Sequence, residues 1–236
     1  MALQTQASRE LAVLQEQVVA CKKCPRLVLF RQKVAREKRR AYRDYSYWGK
    51  PVPSFGDPRA RLLIIGLAPG AHGANRTGRM FTGDSSGDFL YPVLYEAGFA
   101  SQPESTSADD GLRLLDAYIT APVRCAPPDN RPDAPEFRNC QPYLERELQL
   151  LKNVIVIIVL GRLALASYLG ILKSADRIAA AGAYPFTHGA CHKLPAGLPV
   201  LLCSYHPSRQ NTQTGRLTKP MFLNIFRAAR KLLAAA

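Results

Sequence analysis

Four short apolar runs punctuate the chain, at residues 61–66, 116–122, 154–160 and 199–204. A run of this length between turn-forming residues reads as a buried strand. The third, Val154 to Leu160, is apolar at every position, as a strand covered on both faces requires. Between and around these runs the apolar residues take helical spacing. Ser8 to Ala20 puts Leu11, Leu14 and Val18 on one stripe behind a Ser8 N-cap. Asp88 to Gly98 reads as a helix ending at a glycine, and Arg162 opens another that runs to Leu169. Pro142 suits a first helical turn, with Leu144, Leu148 and Leu151 inward as far as Lys152. Leu217 to Leu233 carries Phe222, Ile225, Phe226 and Ala229 on one stripe. Strands separated by helical crossovers favour a parallel sheet with helices on both faces. The pattern therefore predicts an α/β fold of three layers, with a central four-stranded parallel sheet flanked by helices. No internal repeat or low-complexity tract interrupts it.

Length and charge narrow the picture. At 236 residues the chain suits one domain, 1–236, with an N-terminal cysteine-bearing and basic helical segment (about 1–58) packed on the α/β core. Composition is globular, at 47% hydrophobic and 21% charged. Lys+Arg 32 against Asp+Glu 18 leaves a net charge of +14, which points to a polyanion, nucleic acid before an acidic membrane surface. The first residues lack a secretory pattern, and the longest apolar run is too short to span a bilayer. A cytoplasmic protein without a membrane role is expected. Six cysteines in that compartment point to metal or cluster ligands before disulfides.

Cys21 and Cys24 stand in C-x2-C spacing, and Cys125 and Cys140 lie in later loops flanked by prolines. Four thiolates suit a 4Fe–4S cluster or a tetrathiolate zinc site, and spacing leaves iron and zinc open. A helix starting just after Cys140 would stabilise its thiolate. Cys203, in an apolar strand, reads as a small buried residue, and His188, Cys191 and His192 as ordinary loop residues. From Arg26 to Arg43 a basic, helical arm carries Arg31, Lys33, Arg36, Lys38, Arg39, Arg40 and Arg43 against Glu37 alone, which favours phosphate contact. Tyr42, Tyr45, Tyr47 and Trp48 then serve to pack the arm onto the body.

The strand ends carry the remaining chemistry. The first strand opens into Gly66-Leu67-Ala68-Pro69-Gly70-Ala71-His72-Gly73 and a long loop through Gly87. Ligands bind at such strand ends, and glycines let backbone approach them closely. Phe81 is an aromatic in a polar, glycine-rich loop, placed to stack on a base. Asp84 reads equally as an acidic site residue or as the N-cap of the next helix. His206-Pro207-Ser208 follows the fourth strand and opens on the same rim, with Arg209 and Gln210 beside it for phosphate or groove contact. Histidine is suited to proton donation near neutral pH.

With these motifs in this order, the chain resembles the uracil-DNA glycosylase superfamily, and within it the cluster-containing family 5. The resemblance rests on the cysteine pairs, residues 66–73, Asn75-Arg76-Thr77-Gly78-Arg79-Met80-Phe81-Thr82-Gly83-Asp84, and His206-Pro207-Ser208. Family 4 members carry an acidic residue where this chain has Leu67 and an Asn near Ala121, so their usual water-activating group is absent from the first motif. The resemblance implies the glycosylase-like four-stranded fold, a structural 4Fe–4S cluster on Cys21, Cys24, Cys125 and Cys140, and a monomer acting on double-stranded DNA. It implies monofunctional excision of uracil, and of other deaminated bases such as hypoxanthine, from a flipped nucleotide. Phe81 would stack on the base, with Leu67, Ala68 and Ala71 lining the pocket through their main chain. His206 would donate to a base carbonyl, Asp84 would orient water or stabilise the sugar cation, and Asn130 would help hold base or water. Arg209 and Gln210, next to Ser208, would fill the gap left by flipping. The reading from another class is a non-catalytic, cluster-bearing nucleic-acid-binding module, which has no need of Phe81, Asp84 and His206 on one rim. A metal-dependent nuclease would need more carboxylates than Asp84 and Asp88 supply.

Overall fold

The computed structural model describes residues 6–236, so the first five residues of the expected N-terminal segment lie outside it. The four apolar runs become β2 (Leu62–Ile65), β3 (Ala117–Thr120), β4 (Val156–Leu160) and β6 (Val200–Ser204), all parallel. The sheet holds six strands rather than four, in the order β1-β3-β2-β4-β6-β5. The additions are two-residue edge strands, β1 (Phe55–Gly56) and β5 (Cys191–His192), each antiparallel to its neighbour. Two residues carry no hydrophobic period, so only the pairing reveals them.

Alternate side chains of each strand enter opposite layers. Leu62, Ile64, Ile119, Val156, Ile158 and Leu202 meet α4 (Ser85–Glu96) and α8 (Lys219–Ala234) on one face. Leu63, Ile65, Tyr118, Ile157, Val159 and Leu201 meet α1 (Gln6–Ala20), α6 (Arg162–Ser174) and the end of α5 (Ala134–Leu150) on the other. Each fully buried Leu or Ile contributes roughly 1.5–3 kcal/mol of transfer free energy, and the buried polar positions, Thr120 and Ser204, fall at the carboxyl ends of β3 and β6. The register aligns Ile65 with Thr120 and Val159, and Leu160 with Ser204. The carboxyl ends of the four parallel strands therefore share one rim.

Three expectations need correction. The helix expected to begin at Pro142 begins at Ala134, where Asp133 and Glu136 form a capping box and a proline occupies the first turn. Pro142 lies inside α5, and Cys140 is mid-helix on its buried face, so the N-terminus of its own helix does not face that thiol. The basic arm is helical only over α2 (Pro25–Glu37), and a short 3-10 turn follows at Arg40–Tyr42. Arg31, expected at phosphate, is buried at 3% exposure and donates to the Gly49 carbonyl. It shares the inward stripe of α2 with Leu27.

A buried polar knot ties the N-terminal segment to the core. Arg124 and Glu147 pair in the interior, where Thr120 Oγ1 and Ser54 Oγ each donate to Glu147 at 2.6 Å. Gln15 of α1 donates to the same carboxylate at 2.9 Å. A buried charge pair needs further hydrogen bonds to offset its desolvation; Glu147 has them, while Arg124 Nε is left without a partner. Among the described residues, no helix is long and apolar enough to cross a membrane.

Candidate active site

The rim of the sheet encloses a cleft of about 640 Å³. Leu67, Ala68 and Ala71, in the loop after β2, form one wall, and Ala121, following β3, lies at its base. Phe81 and Asp84 enter from the long loop before α4. His206, Ser208, Arg209 and Gln210, in the segment after β6, close the opposite side. Asn130, with Asp129 and Arg131, reaches in from the loop after β3. The sheet topology thus gathers every non-cysteine candidate into one cleft, although they are spread over more than half the chain.

Phe81 is held at φ 53°, a conformation that costs a bulky residue energy. Its ring lies against Gly66, where an added Cβ would stand 2.9 Å from Phe81 Cζ. The ring faces His206 at 5.7 Å between centroids and 31° between planes. His206 keeps part of its surface toward the cleft, yet the surrounding protein desolvates the imidazole and pushes its pKa down to about 4. At neutral pH it is uncharged and offers one N–H. Asn211 Nδ2 donates to the His206 carbonyl at 2.8 Å, and Ser208 caps α7 (Arg209–Gln213).

Asp84 caps α4 and also lines the cleft. Its Oδ1 accepts from Ser86 N at 3.0 Å and Gly87 N at 3.1 Å, capping α4. Its Oδ2 lies against the backbone of the first loop, where a Cβ at Gly73 would stand only 1.8 Å away. Burial raises the carboxyl pKa, while the two backbone N–H groups and the Arg76 cation act against that rise.

Sequence reasoning gave His72 no role. It lines the same cleft, and its Nδ1 meets the Tyr47 hydroxyl at 2.9 Å. The Arg76 guanidinium lies 4.2 Å from the Tyr42 ring centre and 5.0 Å from that of Tyr45, the two rings meeting edge to face, and Trp48 N donates to the Arg76 carbonyl at 2.8 Å. The aromatics do pack the arm, and they pack it onto the glycine-rich loop. A histidine inside such a loop was the available signal.

The four candidate cysteines form a second group beyond Ala68. Cys24 and Cys125 share a small core with Leu27 and Val123. Electrostatic influence links Cys125 and Cys140 to Cys21 and Cys24. All four are free thiols. Burial pushes Cys125 up to about 12 and Cys140 up to about 11, and neighbouring cysteines add to both rises. Asn139 Nδ2 donates to Cys24 Sγ at 3.4 Å, and the Arg124 backbone N–H serves the Cys140 sulfur. N–H donors and nearby arginines around desolvated thiols fit an anionic thiolate assembly. Among the described residues no three His, Cys, Asp or Glu side chains close on a single ion. Elsewhere, Cys203 is fully buried, and His188 stacks on Tyr205 at 4.9 Å.

Comparison with known proteins matches residues 53–230 to the family described as the Uracil DNA glycosylase superfamily. The chain is 56% identical over 218 residues to the type-5 uracil-DNA glycosylase of Thermus thermophilus, covering 91% of this chain and 94% of that protein. It is 52% identical over 219 residues to the Mycobacterium tuberculosis type-5 uracil-DNA glycosylase, covering 91% and 79%. The Pyrobaculum aerophilum type-5 uracil-DNA glycosylase is 45% identical over 212 residues, covering 90% and 88%.

Proposed function

The chain belongs to the uracil DNA glycosylase superfamily, in its type-5 branch, and from that premise we propose that it hydrolyses the N-glycosidic bond of uracil in DNA, with Phe81, Asp84 and His206 carrying the reaction. The observation behind this reading is the shared cleft: a fixed aromatic face, a neutral imidazole against it and a desolvated carboxylate on one rim. A duplex would present the base by flipping it out of the stack. Phe81 then stacks on it, an interaction worth about 1–3 kcal/mol. His206 donates its N–H to the base carbonyl on which negative charge grows as the bond breaks. A preorganised donor of this kind contributes about 2.7–4 kcal/mol. Asp84 Oδ2 orients the attacking water and stabilises the positive sugar, while Oδ1 stays bound to the α4 cap. Asn130 assists from the facing loop, and Arg209 and Gln210 occupy the gap left by the flipped nucleotide.

Leu67 and Ala121 add no side-chain donors to the pocket lining, so the pocket rejects fewer bases and accepts hypoxanthine as well. Cys21, Cys24, Cys125 and Cys140 would hold a 4Fe–4S cluster. When bound, such a cluster supplies a structural tie between α2, the loop after β3 and α5. Those elements carry the wall that includes Asn130, and Arg26 reinforces the tie through Glu136 at 2.8 Å and the Arg131 carbonyl at 3.0 Å.

The test is a single-turnover incubation in metal-free buffer with duplexes carrying one uracil or one hypoxanthine, followed by alkali. Strand cleavage seen only after alkali, on both duplexes, is the expected result. Tight binding with no base release from either would overturn the reading.

A further inference from the structure

We propose that His72 is a DNA-backbone contact in the cleft wall, donating from Nε2 to a phosphate of the strand whose nucleotide enters, and that Tyr47 is the positioning residue that sets this donor. The inference rests on the DNA-glycosylase reading and adds a residue pair to it.

The argument begins with the strap of residues 39–49. It is fastened to the glycine-rich loop by the contacts of Arg76 with the Tyr42 and Tyr45 rings and by two backbone bonds, Trp48 N to the Arg76 carbonyl and Gly49 N to the Asn75 carbonyl. Tyr47 is therefore held by its neighbours on both sides. The Tyr47 hydroxyl and His72 Nδ1 lie 2.9 Å apart, and in the pairing proposed the hydroxyl donates. Accepting at Nδ1 fixes the tautomer that carries its proton on Nε2. The two rings meet edge to face at 6.1 Å, which holds the imidazole plane.

The surroundings select the acceptor. Among the described residues the charges acting on the imidazole are Arg39 and Arg76, both cationic. Together with burial they keep it uncharged, so it offers a donor without adding a charge to repel. Two cations beside a fixed N–H favour an anion, and the uracil base is neutral. The anion that accompanies a nucleotide into the cleft is its phosphate. Arg39, Arg40 and Arg43 on the same strap are exposed cations, of the kind that hold phosphates.

The test measures affinity for a duplex with a non-hydrolysable abasic analogue, beside single-turnover excision of uracil at saturating enzyme. His72→Ala is expected to weaken binding about tenfold, in keeping with loss of a charge-assisted hydrogen bond, and to lose much less in the saturating rate. His72→Gln, whose amide donates without a tautomer to set, restores most of the affinity. Tyr47→Phe keeps the ring and removes the hydroxyl. It is expected to weaken binding about threefold in the wild type and to have no effect in the His72→Gln background. A Tyr47→Phe loss that persists in that background would make Tyr47 merely structural and overturn the pairing. A His72→Ala loss confined to the saturating rate would place His72 at the base and overturn the phosphate contact. Failure of the wild type to excise uracil would count against the glycosylase reading alone, since the binding series stands without turnover.

Discussion

Alanine at Gly73 strikes at Asp84 without touching its chemistry. The added Cβ would stand 1.8 Å from Asp84 Oδ2, 2.5 Å from Cγ and 2.8 Å from Cβ. Ordinary contact is about 3.5 Å, so the carboxylate must retreat by more than 1 Å. That retreat disturbs the bonds from Ser86 N and Gly87 N, a cap worth about 1 kcal/mol. Overpacking adds about 1–3 kcal/mol. The sum of roughly 2–4 kcal/mol corresponds to a fall in Tm of about 5–15 °C in a chain of this size. A displacement of about 1 Å in a positioned group costs about 100-fold in rate, so the single-turnover rate should fall by that order well below the new Tm. Gly70→Ala, with its Cβ at 2.7 Å from the same oxygen, should show a smaller version of both effects, and Gly182→Ala, with nothing within 4 Å, neither. The assays are thermal melting by circular dichroism and uracil release under single-turnover conditions. A folded Gly73→Ala protein with the wild-type rate would refute the reasoning, because Asp84 would then serve only as a helix cap.

The remaining predictions concern pH, the buried pair and the cysteines. Excision needs Asp84 ionised and His206 neutral, and His206 is already neutral above about pH 4, so the rate should fall as pH drops through the raised Asp84 pKa. Asp84→Asn should lose about 10²–10⁴ in rate together with that acid limb, and persistence of the limb would assign it to another group. Glu147→Gln leaves Arg124 buried beside a neutral partner and should cost about 3–5 kcal/mol in chemical denaturation; the double replacement Arg124→Met with Glu147→Leu should cost clearly less. Cys21→Ser should lower iron and sulfide content and thermal stability before it lowers the rate per folded molecule, and full stability in an iron-free protein would contradict the cysteine assignment.

The fold was legible wherever burial alone decides a residue. β2 and β4 are covered on both faces, so each is apolar throughout. Legibility failed where the inward face of a helix is polar. α5 buries Glu136, Cys140 and Glu147 along with Leu144, so its first half shows no apolar stripe. Pro142 then looked like the first turn, when Pro135, two residues after the Asp133 cap, occupies it. Arg31 misled in the same way. On a stripe with Leu27 it is inward by position, yet arginine within a basic run reads as solvent-facing.

The site divides along the same line. Phe81, Asp84, Asn130 and His206 could be placed together from sequence because a parallel sheet brings successive strand ends to one rim, and no knowledge of individual contacts is needed for that. A polar group turned into the protein is different, because its meaning lies in a partner the chain pattern does not name. Gln15 meets Glu147 across 132 positions, and Tyr47 meets His72 across 25. Asp84 belongs to both kinds. Its position at a strand-end loop marks it for the cleft, and its position before α4 marks it as a cap. Only the close approach of Gly73 to its second oxygen shows that one carboxylate fills both places. Gly70 and Gly73 are then required by Asp84 as much as by any ligand. That ties the Gly66–Gly73 stretch to a residue beyond it in sequence and makes loop and acid a single unit.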